Sequence, residues 1–150
     1  MPSRRQFLVG SAAVAASLIA RRALPAEAPL AITVYKDPAC ECCARWVKHL
    51  SAHGFVVAAR DVGNVDDIKR TMNVPPALQS CHTAVIGRYV VEGHVPADLI
   101  RRFVTEKSSW AGLAVPGMPN GSPGMEDGRT DPYTVVAFDR SGKTRAYATR

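Results

Sequence analysis

Three of the four cysteines of the chain lie within four residues, in the segment Asp37–Cys43 (Asp-Pro-Ala-Cys-Glu-Cys-Cys), which we call the cysteine corner. Cys40, Cys42 and Cys43 offer three thiolates in a small space, and clustered soft sulfur ligands favour Cu(I), zinc or iron–sulfur centres. Cys40 and Cys43 also form a C-x-x-C pair, the spacing of dithiol redox enzymes. The segment therefore predicts either a soft-metal site or a thiol–disulfide site.

Two methionines, Met118 and Met125, each follow a glycine in a Gly- and Pro-rich stretch that offers little core for them to fill. Thioether sulfur is a soft Cu(I) ligand that does not ionise, so it can bind copper over a wide pH range. We predict that these methionines bind metal when their loop closes over the cysteine corner. Met72 lies on an amphipathic helix, and we interpret it as a core residue.

Histidines supply further candidate ligands. His94 lies between a predicted strand and a predicted helix, in the kind of connection where binding residues concentrate. His49 and His53 are four residues apart on a predicted helix, so they could clamp a metal ion on one face. That helix would then have to turn one face toward both the cysteines and the solvent. We therefore interpret His49 and His53 as ordinary helix residues.

The elements that position these residues follow from the periodicity of the apolar side chains. A strand over residues 32–35 precedes the cysteine corner and a helix over about residues 43–53 follows it, so the helix N-terminus favours thiolates. A strand is then predicted over residues 55–59 and a helix capped by Asn64 over residues 64–72. Two strands joined by Gly87-Arg88, over residues 83–86 and 89–92, precede a last helix over residues 96–107. This β-α-β-α-β-β-α order predicts an α/β, thioredoxin-like fold whose first two strands are parallel.

The thioredoxin-like layout makes a prediction about the fourth cysteine. In such a layout, the residues just before the third strand face the cysteine corner, at a place that a cis-proline usually holds. Cys81 and His82 stand there in this sequence. We therefore predict that Cys81 brings a fourth sulfur to the other three, and we leave the role of His82 open.

The composition changes beyond about residue 108. Residues 112–132 are rich in Gly and Pro, and a β-hairpin with a turn at Ser141-Gly142 is predicted over residues 133–148. One hairpin is too little for a second domain. We therefore predict that residues 27–150 form a single domain, in which a Gly/Pro/Met-rich loop and a β-hairpin extend the thioredoxin-like part.

The N-terminus carries a twin-arginine pattern, Ser3-Arg4-Arg5-Gln6-Phe7-Leu8, followed by a short Ala-rich apolar run. It predicts a signal peptide over residues 1–26 and export to the bacterial periplasm, with no membrane attachment after cleavage; a retained anchor is the alternative. The arginines of this segment account for most of the formal charge, which is +6 for the chain and +2 for residues 27–150. No basic block with interleaved aromatic residues remains, which argues against nucleic acid binding.

Four stretches together resemble the CopG-type copper-resistance proteins, an exported bacterial family. They are residues 37–43, 80–84 (Ser-Cys-His-Thr-Ala), 92–96 (Glu-Gly-His-Val-Pro) and 116–126 (Pro-Gly-Met-Pro-Asn-Gly-Ser-Pro-Gly-Met-Glu). The resemblance implies a copper cluster, a role in copper detoxification and, as the family's proposed activity, interconversion of Cu(I) and Cu(II). It implies that Cys40, Cys42 and Cys43 are bridging thiolates and that Cys81 is a fourth sulfur ligand. It also implies that His94, Met118 and Met125 are peripheral ligands.

Three functions stay open from the residues alone. The first is a periplasmic copper-binding protein with a multinuclear centre, which is an enzyme only if it turns copper over as an oxidoreductase. The second is a thiol–disulfide oxidoreductase that uses Cys40 and Cys43, and the third is a chaperone that hands copper to an efflux partner without redox turnover. Zinc ranks behind copper, because the C-x-C and vicinal spacings would strain a mononuclear four-sulfur site.

Overall fold

The computed structural model describes residues 29–150, so the signal peptide predicted over residues 1–26 lies outside the described residues. Within residues 29–150, seven strands and three helices follow one another as β1 Leu30–Lys36, α1 Glu41–Ala52, β2 Phe55–Asp61, α2 Val65–Thr71, β3 His82–Ile86, β4 Tyr89–Glu92, α3 Ala97–Thr105, β5 Gly112–Ala114, β6 Thr134–Phe138 and β7 Thr144–Thr149. A turn of 3-10 helix, Pro76–Leu78, stands between α2 and β3. The predicted α/β class is confirmed.

The strands form one mixed sheet in the order β2-β1-β3-β4-β5-β6-β7. β1 and β2 pair in parallel with α1 as their crossover, and β1 also pairs with β3 in antiparallel fashion. β3 and β4 form the predicted antiparallel hairpin around Gly87. The predicted order β-α-β-α-β-β-α is therefore confirmed up to α3, while the name thioredoxin-like remains an interpretation of this topology.

β5 lies in the Gly- and Pro-rich stretch for which a loop was predicted. The strand has only three residues, so its sequence does not distinguish it from a loop. It pairs in parallel with β4 and antiparallel with β6. Gly112 is required at this position, since a Cβ atom would lie 2.2 Å from the Val90 carbonyl oxygen and 2.7 Å from the Phe138 ring. Through β5, the predicted C-terminal hairpin of β6 and β7 joins the main sheet.

Helix α1 carries the clustered cysteines and is fixed firmly to the core. Helical spacing turns Trp46 and Leu50 to the sheet, where both side chains are fully buried. The indole Nε1–H of Trp46 donates a hydrogen bond to the Val95 carbonyl oxygen (2.9 Å). Val95 is the residue after His94, in the connection between β4 and α3. This bond therefore links the helix that carries the cysteines to the segment that carries His94.

The ends of the first two helices follow local signals in the sequence. α1 begins at Glu41, two residues before the predicted start, and Cys40 is its N-cap residue. Gly54 follows the helix with φ +79°, the left-handed conformation that a C-terminal glycine adopts at least cost. At the start of α2, the Asn64 side chain accepts a hydrogen bond from the Asp66 N–H (3.0 Å), which is the predicted cap.

Candidate metal site

The pairing of β1 with β3 brings Cys81 to the cysteine corner. Lys36, the last residue of β1, pairs with His82, the first residue of β3. Since the two strands are antiparallel, the segment that leaves β1 and the segment that enters β3 lie at the same end of the sheet. The first segment is residues 37–43 and the second ends with Cys81, so the predicted approach of the fourth cysteine is observed.

The four cysteine sulfur atoms lie within 4.8 Å of one another. Cys40 and Cys43 are joined by a disulfide, whereas Cys42 and Cys81 are free thiols. The Sγ atom of Cys42 lies 3.4 Å from that of Cys40 and 4.0 Å from that of Cys81. The structure therefore gathers the four predicted sulfur ligands, and it also contains the C-x-x-C pair of the thiol–disulfide interpretation.

His94 is buried next to Cys81, and its hydrogen bonds define its tautomer. The Nδ1 atom lies 2.7 Å from the Pro123 carbonyl oxygen, which can only accept a hydrogen bond. Nδ1 therefore carries the proton of the neutral ring, and Nε2, which lies 3.0 Å from Cys81 Sγ, keeps its lone pair. This is the arrangement of metal-binding histidines, which usually donate their second ring nitrogen to a carbonyl or carboxylate.

His82 is also buried beside Cys81, but its surroundings differ. Its Nδ1 atom lies 3.3 Å from Cys81 Sγ, and its ring packs against Trp46 with the centroids 4.3 Å apart. Its Nε2 atom has no hydrogen-bond partner in the described part of the chain. Because a second-nitrogen partner like that of His94 is not found for His82 Nε2 among residues 29–150, the geometry favours His94 as the candidate ligand and His82 as a packing partner of Cys81.

Burial sets the protonation of these residues. It raises the pKa of the Cys81 thiol to about 12, and the nearby Cys42 thiol adds to the increase. Burial also lowers the pKa of His94, and it lowers the pKa of His82 to well below its usual value. In the metal-free protein at neutral pH, Cys81 therefore keeps its proton and both imidazoles are neutral. A metal ion that binds Cys81 must displace that proton.

The loop that carries the two methionines contacts the cysteine-bearing helix at Gly124. The Arg45 Nε–H donates a hydrogen bond to the Gly124 carbonyl oxygen (2.8 Å). Gly124 packs so closely that a Cβ atom would lie 2.8 Å from the Cys42 carbonyl oxygen. Met125 is the next residue, so the close contact holds its backbone beside the cysteine corner.

A second contact holds the loop near Met118. The Ser80 hydroxyl donates a hydrogen bond to the Gly117 carbonyl oxygen (2.6 Å). Ser80 directly precedes Cys81, and Gly117 directly precedes Met118, which is 52% exposed. Both methionines are therefore one residue from a point where the loop touches the cysteine-bearing segments. Metal binding by either thioether remains a prediction.

The hydrogen bonds of His49 and His53 are made to backbone groups and not to the cysteine sulfurs. His49 Nε2 accepts a hydrogen bond from the Ala97 N–H at the start of α3 (3.2 Å). The Nδ1 atom of His53 lies 2.7 Å from the His49 carbonyl oxygen, near the end of α1. These contacts support the interpretation of both as helix residues. Met72 is partly buried against an apolar cluster, in keeping with a core role.

Several contacts around the candidate site were not identified from the sequence. They involve Arg45, which binds Gly124; Pro123, which binds His94; and the buried pair Lys69 and Glu92. The partners in these contacts are 79, 29 and 23 positions apart along the chain. No local pattern marks such distant partners, so only the fold could reveal them.

The fold and site define an α/β protein whose sulfur and imidazole groups gather at one end of a mixed sheet. Two solved structures, described as copper resistance protein CopG, forms 2 and 1, are each 47% identical to this chain. Each alignment covers 81% of this chain and 98% of the other, with TM-scores of 0.78 and 0.77. The chain belongs to the CopG family, as its motifs indicate.

Two family models match parts of the chain. The twin-arginine translocation pathway signal sequence matches residues 1–19, which confirms the predicted export and periplasmic location. A family described as protein of unknown function, DUF411, matches residues 78–125, a stretch that contains Cys81, His94, Met118 and Met125. No curated protein matched the chain. None of the helices within residues 29–150 has the length and apolar character needed to cross a membrane.

Proposed function

We propose that this exported protein binds copper in a cluster bridged by its cysteine sulfurs and serves in copper detoxification. The observation that carries the proposal is the convergence of four sulfur atoms, all within 4.8 Å, on two segments that β1 and β3 hold together. A relative with 47% identity is named a copper resistance protein, which supports copper as the metal.

The donor atoms favour a soft metal. Two sulfurs bound to one ion at about 2.3 Å each lie no more than about 4.6 Å apart, and those of Cys42 and Cys81 are 4.0 Å apart. Within residues 29–150, the two groups of gathered ligand atoms consist of cysteine and histidine without a carboxylate. Such a set suits Cu(I) or zinc and not calcium or magnesium. Three sulfurs within four residues suit bridging of several ions better than one tetrahedral zinc ion.

The proposed ligands form two groups. Three cysteines would supply bridging thiolates, one cysteine would add a fourth sulfur, and three neutral donors would complete the coordination at the edge of the cluster: Cys40, Cys42 and Cys43, then Cys81, then His94, Met118 and Met125. The fixed tautomer of His94 supports its role, because Nε2 offers a lone pair beside Cys81. The loop contacts at Gly117 and Gly124 support the two methionines.

Full copper loading requires that the Cys40–Cys43 disulfide be reduced, because the bond occupies two of the four sulfurs. The thiolate is the form of cysteine that binds metal. Exchange with an external dithiol breaks the protein S–S bond, returns two thiols to the protein and leaves the dithiol oxidised. We assign the full cluster to the reduced form, in which all four cysteines are free to bind copper.

One observation favours a second candidate function, thiol–disulfide exchange. Cys40 and Cys43 form a disulfide at the N-terminus of α1, as in dithiol redox enzymes. The free thiol of Cys42 counts against this function, since it lies 3.4 Å from Cys40 Sγ and would exchange with the disulfide. We therefore rank copper binding first.

Anaerobic titration with Cu(I) tests the proposal, using exported protein purified from the periplasm and reduced beforehand. After desalting, we expect several copper ions per chain and a parallel loss of free thiols. The absence of retained copper, together with a Cys40–Cys43 disulfide that opens and closes reversibly, would establish the oxidoreductase instead.

The fate of bound copper then separates two roles of the cluster. Oxidation of the loaded protein by an electron acceptor, with Cu(II) formed and still bound, would support interconversion of Cu(I) and Cu(II). Transfer of Cu(I) to an efflux or chaperone partner without oxidation would support a copper chaperone. Electron paramagnetic resonance distinguishes the outcomes, because it detects Cu(II) and not Cu(I).

A further inference from the structure

A buried ion pair lies beside the segment that carries Cys81. The Nζ atom of Lys69, on α2, is 2.6 Å from Oε1 of Glu92, at the end of β4, and these side chains are 4% and 0% exposed. Replacing a buried ion pair by apolar residues often leaves a protein equally or more stable. A contribution to the stability of the fold therefore does not explain why this ion pair is present. Its other hydrogen bonds indicate a local role.

Glu92 binds the chain on both sides of Cys81. Its Oε1 atom accepts a hydrogen bond from the Ser80 N–H (2.6 Å), and its Oε2 atom accepts one from the Thr83 hydroxyl (2.7 Å). Ser80 precedes Cys81, and Thr83 follows it by two residues. One carboxylate thus binds the Ser80 backbone and the Thr83 side chain, on the two sides of the residue whose sulfur belongs to the cluster of four cysteines.

Lys69 completes this network. Its Nζ atom donates to Glu92 and also to the Thr83 hydroxyl oxygen (3.1 Å), so the three side chains form a closed set of hydrogen bonds. Thr83 and Glu92 are also directly opposite each other in the β3–β4 pairing. An ionised carboxylate has the acceptor sites for all three donors, and the ammonium group balances its buried charge.

We propose that Glu92 and Lys69 are positioning residues that hold Cys81 Sγ in place between Cys42 and His94. The inference rests on the proposed copper site, to which Cys81 contributes one sulfur. The contacts of both residues are with the neighbours of Cys81 and not with a sulfur atom: Glu92 binds Ser80 and Thr83, and Lys69 binds Thr83 and Glu92. Partners of this kind, which orient a ligand without binding the metal, typically contribute about 10–100-fold to metal affinity.

The first test substitutes Glu92→Gln, which keeps the shape of the side chain but leaves one acceptor oxygen for three donors. We expect the Cu(I) affinity of the reduced protein, measured by competition with a chromophoric chelator, to fall by about 10–100-fold. Asp67→Asn is the control, because it removes an exposed ion pair with Arg70 on the same helix as Lys69. Its Cu(I) affinity should equal that of the wild type.

A second readout follows the position of Cys81 directly, without copper. In the disulfide form the free thiols are Cys42 and Cys81, so iodoacetamide alkylation mapped by mass spectrometry reports on these two sites. Loss of the Glu92 contacts should raise the alkylation rate of Cys81 severalfold relative to that of Cys42. Because this measurement uses metal-free protein, it tests the positioning role even if the wild type retains no copper and the proposed function fails.

A paired apolar variant, Lys69→Met with Glu92→Leu, separates positioning from folding. It removes both charges together, which avoids an unpaired buried charge. We expect it to unfold at a urea concentration close to that of the wild type and still to show the weaker Cu(I) binding and faster Cys81 alkylation. Wild-type affinity and alkylation in this variant would overturn the proposal. Failure of both variants to fold would also overturn it, because the pair would then support the whole fold.

Discussion

The Nδ1–H of His94 donates a hydrogen bond to the Pro123 carbonyl oxygen over 2.7 Å. This bond directs the lone pair of Nε2 toward Cys81 Sγ, 3.0 Å away. Because Pro123 belongs to the methionine-bearing loop, one backbone carbonyl couples the position of the loop to the tautomer of the histidine. A change that displaces the loop should therefore weaken metal binding by the proposed histidine ligand as well as by the proposed methionine ligands.

Replacement of His94 by alanine should lower the Cu(I) affinity of the reduced protein by at least about tenfold. A direct ligand should contribute no less than the roughly 10–100-fold typical of groups that only orient ligands. Competition with a chelator measures the change. His53→Ala is the control, since His53 is exposed at the end of α1 and away from the sulfur atoms. Equal affinity of both variants would exclude His94 as a ligand.

Gly124→Ala should detach the loop from α1. Both Gly124 and Gly128 have left-handed backbones, with φ +90° and +91°, but a Cβ at Gly124 would meet Cys42 O at 2.8 Å and Trp46 N at 3.0 Å. A Cβ at Gly128 would meet nothing within 4 Å. The free energy of unfolding should therefore fall by about 1–3 kcal/mol more in Gly124→Ala than in Gly128→Ala, as measured by urea denaturation. An equal decrease in the free energy of unfolding of both variants would show that the close contact of Gly124 with α1 does not contribute to stability.

The order of the elements could be predicted because their signals are local. Asn64 caps α2 through a neighbour two residues away, and Gly54 ends α1 by its own conformation. β5 carries no such signal: its three residues pair with β4 and β6, which are distant in sequence. A strand of this length has too few side chains to show alternation, so only its partners in the sheet define it.

The residues that gather at the candidate site could also be predicted, but the bonds that orient them could not. Residue type and position at the ends of predicted strands mark Cys81 and His94, which the structure brings together. The partner that sets the tautomer of His94 is a backbone carbonyl, which every residue has, so the sequence does not mark Pro123. Likewise, Lys69 in α2 looks like a surface residue until the fold places Glu92 next to it.

Substitution of Met118 and Met125 would distinguish a copper-binding protein from a dithiol enzyme. Met118→Leu and Met125→Leu keep an apolar side chain of similar volume but remove the soft sulfur. In combination they should weaken Cu(I) binding by the reduced protein, whereas the rate of dithiol exchange at Cys40–Cys43 should not change. Met72→Leu is the matched control, because Met72 packs in an apolar cluster. Wild-type copper affinity in the double variant would argue against methionine ligands.

His49 should make the metal-free protein less stable in mild acid. Burial lowers its pKa, and His53 lowers it further, while Glu126 and Asp98 act in the opposite direction. Its Nε2 accepts the Ala97 N–H bond, so protonation removes that bond. A histidine whose pKa is lower in the folded than in the unfolded state contributes stability above pH 6.5, and this contribution is lost as the pH falls through the folded pKa.

The variant His49→Gln isolates this effect from the other histidines. Its amide oxygen can accept the Ala97 N–H bond but does not titrate. Urea midpoints measured between about pH 7.5 and about pH 5 should fall less in the variant than in the wild type. The difference between the two curves should develop below about pH 6.5. Parallel curves would mean that the His49–Ala97 bond has no part in the acid sensitivity.

The state of the Cys40–Cys43 disulfide should determine how much copper the protein holds. In the disulfide form Cys42 and Cys81 are the free thiols, with their sulfurs 4.0 Å apart, so at most two thiolates can bind metal. Reduction would free all four sulfurs, which lie within 4.8 Å of one another in the disulfide form. Metal analysis after anaerobic loading should find fewer copper ions per chain in the disulfide form. Equal copper content in the oxidised and reduced wild type would show that Cys40 and Cys43 lie outside the cluster.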